Sequence, residues 1–225
     1  MQLVLTPDLI LEAYTQGLFP MSYSADSPYV HWVCPEQRGQ LSILDIHLPK
    51  RLIKTIRNAS HIIKINTDFS AVIAMCAETD ETRPETWIND SIRDVFIQLH
   101  KSGHAHSVEV WDVQNREEVL VGGLYGLAIG GAFFGESMFS RRTDASKIAL
   151  THLVARLWKG GFSLLDTQFV NDHLKQFGVY EVSHEQYKMQ LDEAVSTQGD
   201  FLLQDCDVSE DALVREYLEM RSARS

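Results

Sequence analysis

The twenty residues Gly122–Arg141, GGLYGLAIGGAFFGESMFSR, decide how the rest of the chain is read. Gly130-Gly131 is a two-residue turn between apolar segments Val119–Ile129 and Ala132–Phe139, which predicts an antiparallel hairpin. The second strand carries a lone carboxylate, Glu136, in glycine-loosened apolar surroundings. An unpartnered polar group is costly in low dielectric, so a buried strand keeps one for a reason. After an amphipathic helix from about Asp144 to Gly160-Gly161, a further apolar strand, Phe162–Val170, carries Asp166 and Gln168. Alternate side chains of a strand share a face. Asp166 and Gln168 are therefore expected to point one way, and Phe134, Glu136 and Met138 likewise. As pure structure, these polar groups would cap helices or pair with Arg141 or Arg142; as chemistry, they converge on an apolar pocket wall.

Upstream, Thr6-Pro7-Asp8 starts a helix that stops at Gly17, and an irregular aromatic stretch follows through Tyr29, Trp32 and Pro35. A short strand at Leu41–Leu44 marks the change of pattern, giving a small N-terminal lobe over 1–38 and a main domain over 39–198. Helices are expected at Pro49–Arg57, Phe69–Ala77 and Ser91–His100, and strands at Ile62–Ile65 and Ser107–Trp111. A short helix ends at Gly178, and Ser183 with Gln186 makes a capping box for the next. The remainder, 199–225, is an extension with a helix capped by Ser209 and running through Met220. Antiparallel strands followed by helix–strand–helix argue for an α+β sheet flanked by helices.

The 225 residues suffice for a large core. No apolar run reaches membrane-spanning length, and MQLVLTPDLI lacks the basic start of a secretion signal, so a cytoplasmic protein is expected. Three scattered cysteines, Cys34, Cys76 and Cys206, without a CxxC pair, suit thiols in a reducing compartment. Gly103 breaks the helical spacing between His100 and His104, and no acidic ligand joins them and His106 at a familiar spacing; no metal is expected. The formal charge of −11 means that a nucleic-acid partner would need a local basic patch. Lys50, Lys54 and Arg57, at i, i+4 and i+7, form such a stripe, read either as a solvated helix face or as a phosphate contact. Trp87 stands out because it lies in the polar segment Thr82–Asp90, where no core helix calls for it. Neither GxGxxG before a helix, GxxxxGK[ST], nor GxSxG is present.

Together YxxGxFP at Tyr14–Pro20, ETWI at Glu85–Ile88, GHAHSVEVW at Gly103–Trp111, VGGLYG at Val121–Gly126, FGESMFSR at Phe134–Arg141 and the series Asp166, Gln168, Asn171-Asp172-His173 closely resemble the leucyl/phenylalanyl-tRNA–protein transferase family. The resemblance runs in order from about Leu9 to about Leu191. It implies an acetyltransferase-like (GNAT) fold for the main domain. It also implies transfer of Leu or Phe, less readily Met, from aminoacyl-tRNA to proteins beginning with Arg or Lys, which marks them for N-degron proteolysis. No cofactor is implied, and a monomer is expected. By the same resemblance, Asp166 polarises Gln168, which contacts the acceptor amine, and Glu136 helps hold the basic residue or that amine. Leu124, Met138 and Leu165 take the transferred side chain, Tyr14 and Trp87 line the site of the terminal adenosine, Asn171 belongs to the substrate site, and Lys50, Lys54 and Arg57 contact tRNA.

The pattern departs from the family at Met21, where an aromatic commonly follows the FP pair, at Phe96, often tyrosine, and in the tail from Phe201. A coenzyme A site would need a [RQ]xxGx[GA] loop before the helix, whereas Ser140–Ser146 contains no glycine. A CoA-dependent N-acyltransferase is the alternative enzyme, and a silent tRNA or N-degron binding protein the alternative outside catalysis.

Overall fold

Thr6 opens the first helix, α1 (Pro7–Thr15), by accepting the Leu9 amide at 3.3 Å, with Pro7 in the first turn. The computed structural model describes residues 4–58, 61–79, 84–204 and 206–224, so Thr82 and Arg83 of the Trp87 segment lie outside the described residues. The aromatic stretch expected to be irregular is a small hairpin, β1 (Phe19–Ser22) against β2 (Val30–Val33). Pro20 sits in it because a two-stranded ribbon has only edges, where a missing N–H is tolerated.

The next strand, β3, spans Gln37–Leu41 rather than Leu41–Leu44. The apolar alternation of Leu41 and Ile43 misled, because Ser42 Oγ accepts the Asp45 amide at 2.9 Å and turns the chain there. Both apolar side chains are buried all the same. Then come α2 (Lys50–Asn58), β4 (Ile62–Ile65), α3 (Phe69–Ala77) and α4 (Asp90–Lys101). The long strands β5 (Ala105–Gln114), β6 (Glu117–Ile129) and β7 (Ala132–Ser140) form a meander whose first turn puts Asn115 and Arg116 at φ 51° and 70°, the hand that suits hairpins. The chain ends with α5 (Ala145–Lys159), β8 (Leu164–Gln168), α6 (Asp172–Lys175), β9 (Tyr180–Ser183), α7 (His184–Ser196) and α8 (Glu210–Arg224). Both hydrogen bonds of the expected Ser183–Gln186 capping box are present.

Among the described residues, seven strands make one mixed sheet in the order β4-β5-β6-β7-β8-β3-β9, antiparallel except for β7 with β8. A parallel neighbour requires a crossover, and α5 supplies it. On one face α2, α5 and α8 cover Val108, Val121, Leu124, Phe133 and Leu165. On the other, α1, α3, α4 and α7 cover Tyr125, Leu127, Phe134 and Leu164. The tail helix α8 lies against α5 and is tied to the loop after β3: the Tyr217 hydroxyl donates to the Ile43 carbonyl at 2.6 Å and Arg221 donates to that of Ile46.

Two features of the sheet position the site. First, β7 and β8 pair only over Ala132–Phe134 against Leu164–Asp166, and beyond that they separate at their carboxyl ends. Open sheets bind ligands at such a place. Second, each of the two strands carries an irregularity there. Tyr125 faces Ser137 while Gly126 faces Gly135, leaving Glu136 as the extra residue of a bulge. On the other side Gly39 faces Gln168 while Gln40 faces Asp166, which leaves Thr167 extra. The bulge overturns the expectation that Phe134, Glu136 and Met138 share a face: Phe134 packs into the α4 side and Met138 against the α5 side.

Gly122 is where β6 meets the start of α5, and a Cβ there would lie 2.4 Å from that of Ala145. Gly122→Ala should therefore lower stability by about 1–3 kcal/mol through overpacking, read as a shifted urea midpoint. An unshifted midpoint would mean that the helix can retreat without loss.

Candidate active site

Between the separating strands lies a cleft of about 500 Å³, walled by Leu124, Met138, Leu150, Leu153 and Leu165. A smaller cavity of about 150 Å³, bounded by Phe19, Met21 and Phe169, adjoins it. The two share Trp87, Glu136, Thr167, Gln168 and Asn171 as lining, so an apolar slot and a second compartment meet at Glu136 and Gln168. Leu124, Met138 and Leu165, expected around the transferred side chain, all line the larger cleft.

Glu136 reaches the junction because its bulge releases it from the alternation of β7. The Tyr14 hydroxyl donates to its Oε1 at 2.8 Å. Burial pushes the Glu136 carboxyl up to about 8, with the Asp166 charge adding to the rise and the Tyr14 hydroxyl and Arg38 opposing it. Without a ligand, then, Glu136 is mostly a neutral acid at pH 7. Tyr14 is fully buried, edge-on to Phe134 at 5.0 Å, so it offers its hydroxyl to Glu136 and no open ring face to a base.

Asp166 is fully buried and entirely engaged. Arg38 Nε donates to Oδ1 at 3.0 Å and to Oδ2 at 3.1 Å, and Arg38 Nη2 donates to Oδ2 at 2.7 Å. The Tyr187 hydroxyl adds a 2.6 Å bond to Oδ2, and the Gln168 backbone N–H donates to Oδ1 at 2.8 Å. Arg38 is itself held between the rings of Phe19 and Tyr187, 4.8 and 4.4 Å from its Cζ, and donates Nη1 to the Gly17 carbonyl at 2.8 Å. Gln168 stands at φ 57°, and the Phe169 N–H reaches back across it to the Thr167 carbonyl at 2.6 Å, a tight three-residue turn. Gly39 admits that turn, since a Cβ there would sit 2.7 Å from the Phe169 carbonyl carbon. The Gln168 Nε2 and Thr167 Oγ1 atoms are buried on the cleft wall without a partner among the described residues.

Trp87 is half-buried and lines both cavities, its carbonyl accepting the Ser22 N–H at 3.1 Å and so tying it to β1. Asn171 lines both too, while its Oδ1 caps α6 by accepting the Leu174 amide at 2.9 Å. Lys50, Lys54 and Arg57 are exposed on α2 and outside the cleft. The same helix reaches the start of α5 through Arg51, 3.4 Å from Asp144. His100 stacks on Phe69 at 4.4 Å and His106 stacks on Phe201 at 4.1 Å, with burial lowering His106 to about 3, whereas His173 lines the cleft. Among the described residues no His, Cys, Asp or Glu group gathers as a metal site, and no helix is long and apolar enough to cross a membrane.

Sequence reasoning missed Arg38, Tyr187, Gly39 and Thr167. Arg38 lies in a strand of sequence QRGQL, which has no apolar alternation to mark it as buried. Tyr187 reads as one more core aromatic on a helix.

Comparison with known proteins bears on the same residues. Residues 41–192 match the family model described as leucyl/phenylalanyl-tRNA protein transferase, and residues 4–36 match that of its N-terminal domain. A leucyl/phenylalanyl-tRNA–protein transferase of Paramagnetospirillum magneticum is 55% identical over 192 residues, 85% of this chain and 90% of that protein. Proteins of the same name from Rhodopseudomonas palustris and Nitrobacter winogradskyi are 49% and 50% identical, each over 88% of this chain and 86% of their own length. Glu136, Asp166 and Gln168 thus fall within the matched region, and this chain belongs to the leucyl/phenylalanyl-tRNA–protein transferase family.

Proposed function

We propose that this enzyme moves leucine or phenylalanine, and less readily methionine, from aminoacyl-tRNA to the α-amine of proteins that begin with Arg or Lys, feeding N-degron proteolysis. The observation that carries the reading is the junction of two cavities at Glu136 and Gln168: an apolar slot for the acyl side chain and a second compartment for the acceptor. A slot walled by leucines and a methionine separates long aliphatic and aromatic side chains by only about 1–3 kcal/mol per methylene, which suits a donor set of several amino acids. β-Branched side chains are stiff at χ1 and would crowd its mouth.

The donor ester is already activated. The neutral α-amine attacks its carbonyl carbon, the C–N bond forms, and the bond to the ribose oxygen of the terminal adenosine breaks. The proton lost by the amine ends on that departing oxygen. The protein contributes position and polarity. Gln168, with its unpartnered Nε2, meets the reacting groups, Asp166 holds Gln168, and Glu136 with Tyr14 receives the basic acceptor. Trp87, placed between the compartments, stacks the terminal adenine. The β7–α5–β8 unit supports an acetyltransferase-like ancestry. Asp144 at the start of α5, engaged by Lys147 at 3.0 Å, puts a carboxylate where a CoA pyrophosphate would need donors. The enzyme acts in the cytoplasm as a monomer.

The direct test supplies Leu-tRNA, Phe-tRNA or acetyl-CoA with a peptide that begins with Arg and follows the peptide mass. Leucine or phenylalanine increments support the reading; an acetyl increment, or none, sinks it. On the exposed stripe, Lys54→Ala should raise KM for aminoacyl-tRNA several-fold with kcat kept, and should reduce the salt slope by about 0.7–0.9 for a lost phosphate contact. An unchanged slope would remove Lys54 from the tRNA interface.

A further inference from the structure

Every lone pair of Asp166 that could take a proton from the acceptor amine is already directed elsewhere. Its two oxygens accept five contacts, three from Arg38 and one each from the Tyr187 hydroxyl and the Gln168 backbone N–H. None of these goes to the Gln168 side chain. We propose that Asp166 is the hub of a clamp, with Arg38 and Tyr187 as positioning residues, and that the clamp acts on the backbone of Gln168 to hold it in its strained turn.

Three observations meet in this reading, which rests on the transferase function above. A glutamine at φ 57°, central to a 2.6 Å turn between Thr167 and Phe169, is an uncommon conformation for a residue with a side chain. Such strain persists only where the surroundings over-determine it. Here they do: Oδ1 of Asp166 fixes the Gln168 amide, Arg38 fixes Oδ1 and Oδ2, and the Gly17 carbonyl with the rings of Phe19 and Tyr187 fixes Arg38. Gly17 and Phe19 come from the first turns of the chain and Tyr187 from α7, so the clamp joins segments from both ends of the fold to one catalytic backbone. The reaction needs no carboxylate base, because the amine gives up its proton as the ribose oxygen takes one. What Asp166 supplies is the aim of the Gln168 side chain, whose Nε2 is left unpartnered at the cavity junction.

Tyr187→Phe tests this while keeping the ring under Arg38. Loss of a hydrogen bond to a carboxylate should reduce kcat about tenfold in single turnover, leave KM for tRNA and for acceptor within about twofold, and speed amide exchange at Gln168. Were Asp166 instead the proton acceptor, losing that donor would make it more basic, and kcat would hold or rise. A purely packing role would lower the melting temperature and leave kcat and Gln168 exchange alone. Either result overturns the proposal. Arg38→Lys, which keeps the charge and loses the fork, should reproduce the kcat loss and the faster exchange; it stands in if Tyr187→Phe fails to fold. The exchange readout needs no tRNA. A wild-type protein that makes no product would therefore count against the transferase reading alone, and an unmoved Gln168 amide against the clamp.

Discussion

Asp166→Ala should reduce single-turnover transfer by about 100-fold or more and, at the same time, lower fold stability by about 3–5 kcal/mol. The stability loss arises because the Arg38 guanidinium, 1% exposed, would keep its place between two rings with its counter-charge removed. A buried charge without a partner is among the most destabilising changes a fold can suffer. The rate loss has a separate origin, since the Gln168 amide loses its acceptor and its strained turn relaxes. Denaturation curves and filter binding of aminoacyl-tRNA separate the two: the midpoint should move, and Kd for tRNA should not. Equal damage to tRNA binding and to transfer would show that Asp166 does not act through Gln168.

Glu136→Gln should produce the second large effect, and it should depend on pH. Burial holds the Glu136 carboxyl up to about 8, so a cationic acceptor binding beside it must first displace a proton at lower pH. For the wild type, KM for an Arg peptide should fall as pH rises from 6 to 8, by up to about 50-fold if the ionised form alone binds. The acceptor α-amine titrates in this range as well, which is why the comparison is between proteins and not between pH values. Glutamine cannot ionise, so the variant should resemble wild type near pH 6 and fall behind it near pH 8.5. The fold carries the matching signature. A carboxyl raised from 4.5 to about 8 binds its proton more tightly folded than unfolded, so its contribution to stability is complete below 4.5 and is lost as pH climbs through 8. Glu136→Gln should flatten that decline. Parallel KM profiles for the two proteins would sink the assignment of Glu136 to the acceptor cation.

The helices and long strands were legible because their periodicity is strong. Ile92, Val95, Phe96 and Leu99 mark α4, and all four are buried. The hairpin of β6 and β7 announced itself through Gly130, found at φ 57°. The short strands β1, β2, β3 and β9 were not legible. Tertiary pairing holds them: β3 sits between β8 and β9 with four polar or glycine residues in five. At the site, Glu136, Asp166 and Gln168 stood out as polar residues in apolar strands, and all three reach the cavity junction or its support. The side-chain partners of Asp166 were invisible, since an arginine in a polar strand and a tyrosine on a helix carry no mark of burial. The two strand irregularities were equally hidden, because alternation presumes an unbroken ladder.

Those irregularities also govern how the two strands tolerate insertion and deletion. Glu136 is the surplus residue of β7. Excising it would remove the carboxylate and leave its neighbours in place. Gly135 would still face Gly126 and Ser137 would still face Tyr125, now as adjacent rungs of an unbroken ladder. Met138 would keep its place opposite Leu124 on the wall of the apolar cleft, and Phe139 its place opposite Gly123. The strand thus carries Glu136 on a residue its ladder does not need, so the chemistry offered at the junction and the packing of the downstream half can change independently.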